Sequence, residues 1–231
     1  EMSSTLYYTS TEESPMTKTL YSIKFNGTGK TKISDLKGSN QASFSVGCQY
    51  YIGSYSSTGN VPLTAVYTAN GAQVRKLEEN LELKNTLAGY AISPKEFFSF
   101  KTTEGIELNG WMIKPANFNP NVKYPVFMYV YGGPGSNTVN DSWDSRDFAW
   151  HQLLSQKGYM VVSVDNRGTG GRGKEFKNCT YKQLGKLETT DQTEAAKYLG
   201  TLPYVDKTRI GIFGWSYGGY MSSLCLLKSN D

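Results

Sequence analysis

Apolar positions change their rhythm near residue 97, and that change divides the chain. Before it, short runs of β-branched and aromatic residues alternate with polar ones. Residues 4–9, 19–24, 49–55, 62–68 and 73–77 share this composition and read as strands. Asn26-Gly27 and Asn70-Gly71 are hairpin dipeptides, because both residue types tolerate positive φ. Antiparallel strands at this spacing suit a propeller blade or a sandwich, and they are too few to close a propeller. Residues 78–88 read as a short helix that acts as a hinge.

After that point the apolar runs lengthen and helices intervene. Residues 97–103 and 106–114 flank Glu104-Gly105 as a hairpin. Residues 124–131 and 159–165 are near-continuous apolar strands, of the kind buried on both faces. Residues 145–157 are expected to form a helix with Phe148, Leu153 and Leu154 on its apolar side and Gly158 ending it. A second helix is expected at 189–199, capped by Thr189 or Thr190, and a third strand at 210–215. This alternation predicts the α/β class with a parallel sheet. The expected division is residues 1–90 and residues 91–231.

Composition narrows the field only a little. Hydrophobic content of 38% with 13% aromatic supports a packed core, and no run approaches the roughly 18 apolar residues of a membrane span. The opening residues lack the pattern of a secretory signal. The net charge of +4 is dispersed, with no basic block or zinc-finger spacing, which argues against nucleic acid as a partner. Cys48, Cys179 and Cys225 are far apart and odd in number, which excludes a disulfide framework and a C-x-x-C site. Cys225 reads as a small buried hydrophobe. No metal and no cofactor is expected. Sequons at Asn26, Asn140 and Asn178 occur at about the chance frequency and carry no information on secretion.

The chemistry gathers at Gly214-Trp215-Ser216-Tyr217-Gly218, a G-x-S-x-G pattern between an apolar run (209–213) and an amphipathic stretch (220–227). A strand that turns into a helix within about two residues forces its turn residue into a sparsely populated conformation and presents the Ser216 hydroxyl. Gly214 and Gly218, lacking Cβ, let strand and helix approach. Such a serine needs a base, a group that orients the base, and donors for the oxyanion. The Tyr217 N–H is one donor. The loop after an early central strand should supply the second, and Tyr129-Val130-Tyr131-Gly132-Gly133-Pro134-Gly135 holds that place. Spacing leaves Tyr131 open between aiming its phenol at substrate and packing at the strand end with its hydroxyl in water. His151 precedes the serine inside a helix and reads as an ordinary helix residue. In an α/β-hydrolase the Asp and His follow the serine, and residues 217–231 leave no room for them. The triad is therefore expected to be incomplete, and the isolated chain inactive toward peptides. The run 165–173 imitates a phosphate loop without the lysine-serine ending, and reads as a loop bordering the same cleft. Glu12-Glu13 reads as a solvated turn.

Taken together, the strand-rich start, the Val-Tyr-Gly-Gly-Pro loop, the 165–173 loop, Leu184-Gly185 followed by Glu188 and Asp191-Gln192, and the Gly-Trp-Ser-Tyr-Gly-Gly-Tyr elbow resemble the dipeptidyl peptidase IV type of the prolyl oligopeptidase family of serine peptidases. The resemblance covers almost the whole chain, as an internal fragment. It implies the last strands of a β-propeller followed by the first part of an α/β-hydrolase domain. It also implies release of N-terminal dipeptides, after Pro or Ala, from peptides with a free N-terminus. On this sequence it implies Ser216 as nucleophile, the Tyr131 hydroxyl and Tyr217 N–H as oxyanion donors, and Tyr217 and Trp215 as substrate-binding residues. It puts the triad Asp and His after residue 231 and the amine-gripping glutamates before residue 1, not at Glu12-Glu13. It leaves a homodimer open and implies an extracytoplasmic compartment, periplasmic or cell-surface. Gly133 and the Gly135-Ser136-Asn137 continuation depart from some members and leave a bacterial or intracellular-type relative open. The alternatives are an oligopeptidase or acylaminoacyl peptidase of the same fold, or a non-catalytic member used for binding.

Overall fold

The computed structural model describes residues 4–229. The chain divides into two compact units, residues 1–90 with 140–145, and residues 91–139 with 146–231.

The first unit carries two antiparallel sheets. Strands β1 (Thr5–Ser10), β2 (Thr19–Lys24) and β3 (Thr31–Lys32) form one, and β4 (Ser39–Phe44), β5 (Tyr50–Ser57), β6 (Asn60–Thr68) and β7 (Gln73–Glu78) form the other, each in chain order. Both predicted hairpin dipeptides turn corners, with Gly27 at φ 80° between β2 and β3 and Gly71 at φ 93° between β6 and β7. The core is small and aromatic: Leu20, Ile33 and Tyr51 are buried, and Tyr7, Phe44, Tyr51 and Tyr67 follow one another with ring centroids 4.2, 4.9 and 5.0 Å apart. Such pairs add to simple area burial. Helix α1 (Leu81–Leu87) has no buried residue.

In the second unit a five-stranded mixed sheet is built from β8 (Lys95–Lys101), β9 (Glu107–Ile113), β10 (Tyr124–Tyr129), β11 (Met160–Asp165) and β12 (Val205–Phe213). Its order is β12-β10-β11-β9-β8. β10 runs parallel to both β11 and β12, while β9 pairs antiparallel with β11 and with β8. The expected hairpin and the three expected parallel strands are therefore present and adjacent. Side chains alternate across a strand, so each strand feeds two layers. Val126, Met128, Met160, Val162 and Val164 join Ala195 and Leu199 of helix α4 (Leu187–Gly200) in the main core. The alternate positions Trp111, Phe127 and Tyr129 meet Trp150 and His151 of helix α2 (Phe148–Gln156). β11 is buried at every position, as expected, whereas β10 is buried only at Val126 and Met128. Helix α3 (Gly173–Asn178) precedes α4, and α5 (Tyr217–Lys228) follows β12. No helix among the described residues is long and apolar enough to cross a membrane.

Two helix readings need correction. The inward face of α2 is His151, Gln152 and Ser155, while Leu153 is 47% exposed. Two of these polar residues are tolerated inside because they are satisfied: Gln152 exchanges two hydrogen bonds of 2.9 Å with the Ser93 backbone, and the Ser155 hydroxyl donates to the Lys114 carbonyl. His151 is fully buried with its ring against Trp111 and Tyr129. Helix α4 starts at Leu187, not at Thr189 or Thr190, whose hydroxyls instead donate back to the Gly185 and Lys186 carbonyls. Cys225 is buried as expected, and burial pushes its thiol up to about 11.

Candidate active site

β12 ends at Phe213 and α5 begins at Tyr217, so the chain reverses from strand to helix over three residues. Ser216 takes up the turn at φ 56°, ψ −118°, the sparsely populated backbone expected of it, and is exposed. The close approach behind it has a direct cause. A Cβ on Gly214 would stand 2.3 Å from the Val130 carbonyl oxygen, and one on Gly218 only 2.1 Å from the same atom. Strand, elbow and helix thus touch through backbone against the residue that follows β10.

That contact brings the Tyr131 loop to the elbow. The Tyr131 and Tyr217 rings lie 6.2 Å apart, tilted at 43°. Gly133 lies between them, where an added Cβ would meet the Tyr131 ring at 2.7 Å and the Tyr217 ring at 3.3 Å. Tyr131 and Tyr217 are half-buried, and Trp215 is 76% exposed beside the serine. Ser216, Tyr131 and Tyr217 are therefore gathered at one end of the parallel strands, with Trp215 at the rim. The single histidine is packed in α2 against Trp111 and Tyr129.

The shell that holds this loop comes from three polar residues of α4 that the sequence motif alone does not assign to the site. Glu188, Asp191 and Gln192 are spaced i, i+3, i+4, so they share one helix face, and that face is buried. Glu188 accepts the Tyr217 hydroxyl at 2.8 Å and the Gly185 N–H at 3.0 Å. Burial and the Glu188 carboxylate push the Tyr217 phenol well above its usual range, so this hydroxyl keeps its proton and donates. Gln192 donates to the Val164 carbonyl and to Asn166 Oδ1, both at 2.9 Å, while Asn166 Nδ2 donates to the Gly132 carbonyl at 3.1 Å. Gly132, at φ 69°, admits no side chain, because a Cβ would meet Asn166 Oδ1 at 2.5 Å.

Asp191 grips Arg167. It accepts the Arg167 N–H at 2.7 Å and the guanidinium through Nε and Nη2, while Arg167 Nη1 reaches Glu104. Neighbouring Asp165, also buried, accepts from the Thr138 N–H and hydroxyl, the Val139 N–H and the Asn137 amide. Burial is what raises its carboxyl above the usual range, against these four donors. The glycine-rich run 165–173 spends its amides internally: N–H groups of Arg167, Gly168, Thr169 and Gly170 donate to Asp191, Phe176, Asn166 and Ser136. A phosphate cradle needs those amides turned outward, so the run is a supporting loop.

In the first unit, Glu12 and Glu13 are engaged by lysines. Lys30 binds Glu12 and Lys32 binds Glu13, which also accepts the Tyr21 hydroxyl at 3.0 Å. Hydrogen bonds from these lysines hold both carboxyls below their usual range. Among the described residues no group of three His, Cys, Asp or Glu side chains is arranged to hold a metal ion.

Comparison with known proteins gives a consistent pattern. Residues 146–231 match the prolyl oligopeptidase family, and residues 1–62 match the dipeptidyl peptidase IV N-terminal region. The crystal structure of Porphyromonas gingivalis dipeptidyl peptidase 4 superposes on 99% of the chain with a TM-score of 0.95 and 45% identity. Dipeptidyl peptidase 4 of Trichophyton equinum is 37% identical over 96% of the chain, and human dipeptidyl peptidase 8 is 32% identical over 98%. The chain spans 32%, 29% and 26% of those three proteins respectively.

Proposed function

We propose that this chain, a dipeptidyl peptidase IV-like member of the prolyl oligopeptidase family, is the elbow-bearing part of a serine peptidase that releases N-terminal dipeptides from peptides with a free N-terminus. Its fold is the first part of an α/β-hydrolase preceded by β-propeller strands. We assign the propeller strands to residues 1–90 and the hydrolase part to residues 91–231.

The observation that carries the reading is the backbone of Ser216, φ 56° and ψ −118° between a parallel strand and a helix. A non-glycine residue held there stores strain of about 1–3 kcal/mol, which persists only where its surroundings over-determine it. In the proposed reaction the Ser216 Oγ bonds to the carbonyl carbon of the second residue, and the oxyanion that forms receives the Tyr131 hydroxyl and the Tyr217 N–H. A base takes the Ser216 proton and returns it to the departing nitrogen, so that collapse expels the peptide amine and leaves an ester on Ser216, which water then hydrolyses to the free dipeptide and the serine hydroxyl. His151, enclosed by Trp111 and Tyr129, is not assigned as the base. That role belongs to a part of the whole protein outside these residues. Tyr217 and Trp215 line the substrate side. Homodimer assembly and an extracytoplasmic compartment rest on family likeness alone.

The test uses the whole protein that contains this chain. Gly-Pro-p-nitroanilide with a free amine should be cleaved and its N-acylated form should not, which separates this reading from an oligopeptidase or acylaminoacyl peptidase. Ser216→Ala should abolish turnover. Tyr131→Phe should lower kcat by about 10²- to 10³-fold with little change in KM, because the hydroxyl acts chiefly on developing charge. An unchanged kcat would return Tyr131 to packing alone.

A further inference from the structure

Beside the elbow lies a pocket of about 560 Å³ that takes no part in the chemistry above. Pro134 lines it together with the 177–184 segment, which contributes Lys177, Asn178, Thr180, Tyr181, Lys182 and Leu184. Both sides are tied to the residues around Ser216. Pro134 directly follows Gly133, which packs against the Tyr131 and Tyr217 rings. Opposite, the Leu184 carbonyl accepts the Tyr220 hydroxyl at 3.3 Å, and the Tyr220 ring stands 5.4 Å from that of Tyr217. A peptide held at Ser216 therefore has this pocket within reach of one of its two directions.

The lining decides which direction. It contains two ammonium groups and no carboxylate. The Lys177 stem passes the glycine loop closely enough that a Cβ on Gly135 would meet its Cε at 3.0 Å, so the loop steers that ammonium. Lys182 sits at φ 60°, a left-handed backbone that a lysine adopts at a cost, and its Nζ lies 5.4 Å from the centre of the Tyr181 ring. Residues 174–186 carry Lys174, Lys177, Lys182 and Lys186 against Glu175 alone. The dipeptide side of a substrate ends in an ammonium, which two lysines would repel. The leaving side ends in whatever side chains follow the scissile bond.

From this we infer that the Lys177–Lys182 pocket receives the leaving peptide and selects acidic residues at its first two positions. The inference rests on the dipeptide-releasing reading and adds a substrate preference to it. Exposed ion pairs are worth about 0.3–0.7 kcal/mol each, so two should raise kcat/KM about three- to tenfold for a Glu-Glu leaving end over Gln-Gln. Salt should erode the preference, since exposed charges are screened.

The experiment measures cleavage of Gly-Pro-Glu-Glu and Gly-Pro-Gln-Gln peptides of equal length by the whole protein, at low and high salt. Gly-Pro-p-nitroanilide, which has no leaving peptide, runs in parallel. A Glu/Gln ratio of about three or more that falls with salt, appears in KM, and drops toward one in Lys177→Gln/Lys182→Gln is the expected result. A ratio near one at low salt, or one that survives the double substitution, overturns the inference while cleavage of the anilide leaves the peptidase reading standing. Failure to cleave the anilide overturns the peptidase reading and this inference with it.

Discussion

Gly218→Ala tests whether the elbow depends on backbone contact between strand and helix. Gly218 lies in the first turn of α5, where alanine favours the helix by about 0.8–1 kcal/mol. Packing opposes this. The added Cβ would stand 2.1 Å from the Val130 oxygen, whereas ordinary contact begins near 3.4 Å, a deficit of 3.4 − 2.1 = 1.3 Å. The obstructing atom is backbone and cannot rotate away. A deficit this large against backbone belongs at the upper end of the about 1–3 kcal/mol that overpacking costs, so about 3 − 1 = 2 kcal/mol of destabilisation remains. At about 2–4 °C per kcal/mol, the melting transition that includes α5 should fall by about 4–8 °C. Parting Val130 from the helix also shifts Tyr131 relative to Ser216, and a misplacement of about 1 Å can cost about 10²-fold in turnover of the whole protein. Gly211→Ala is the control: it sits in β12 with nothing within 4 Å of its added Cβ, and it should melt no lower than the parent. Circular dichroism melts of both variants decide the matter. If Gly218→Ala melts within about 1 °C of Gly211→Ala, the close approach is not what holds the elbow.

Arg167→Met strands the buried Asp191 carboxylate, which costs about 3–5 kcal/mol in urea unfolding. Adding Asp191→Leu should recover most of the loss, and no recovery would show that the pair does not act as a unit. Asp206 accepts the Thr208 N–H and hydroxyl and Arg209 Nε, led by the Thr208 hydroxyl, and is held down to about 2. A depressed carboxyl stabilises above the unfolded value near 4 and loses that contribution as pH falls toward 2. Asp206→Asn should therefore lower the melting temperature at pH 6, with the difference from the parent shrinking between about pH 4 and pH 2. A difference that persists at pH 2 would refute the assignment to charge.

The strongest elements were legible because burial leaves a plain mark on sequence. β11 is apolar almost throughout and buried at every position, and the G-x-S-x-G run sits between a strand and a helix as its pattern demands. β4, with sequence Ser-Asn-Gln-Ala-Ser-Phe, was missed because its stability lies in backbone pairing with β5 along all six residues and in the Asn40 amide, which donates to the Lys18 and Leu36 carbonyls. Neither leaves hydrophobic periodicity. The inward face of α2 was misread for a related reason: Gln152 and Ser155 are polar by composition, yet they are satisfied by Ser93 and Lys114, which lie far off in sequence. The polar face of α4 had a detectable signal, three hydrogen-bonding side chains at i, i+3, i+4. Whether such a face meets water or meets loops cannot be told from spacing, because its partners Arg167, Asn166 and Tyr217 come from elsewhere in the chain.

Strain at Ser216 must be offset by what surrounds it, and the contacts identify where. Inside the turn, the Gly218 N–H donates to the Trp215 carbonyl and the Tyr220 N–H to the Ser216 carbonyl. On the inner side of α5, Met221 and Cys225 are buried. Two tyrosine hydroxyls add restraints, Tyr217 on Glu188 and Tyr220 on the Leu184 carbonyl, at positions one and four beyond the serine. One face of α5 is thereby pinned to the start of α4 and the loop before it. Gly185, at φ 80°, makes this possible, since any side chain there would collide with Tyr220 and Leu224. The same loop walls the lysine pocket, and the same helix reaches Gly132 through Gln192 and Asn166. Ser216, the Tyr131 loop and the lysine pocket thus share α4 as a common support. If Ser216 and the lysine pocket act as proposed, a substitution in the buried polar face of α4 should change turnover and leaving-peptide preference together in the whole protein.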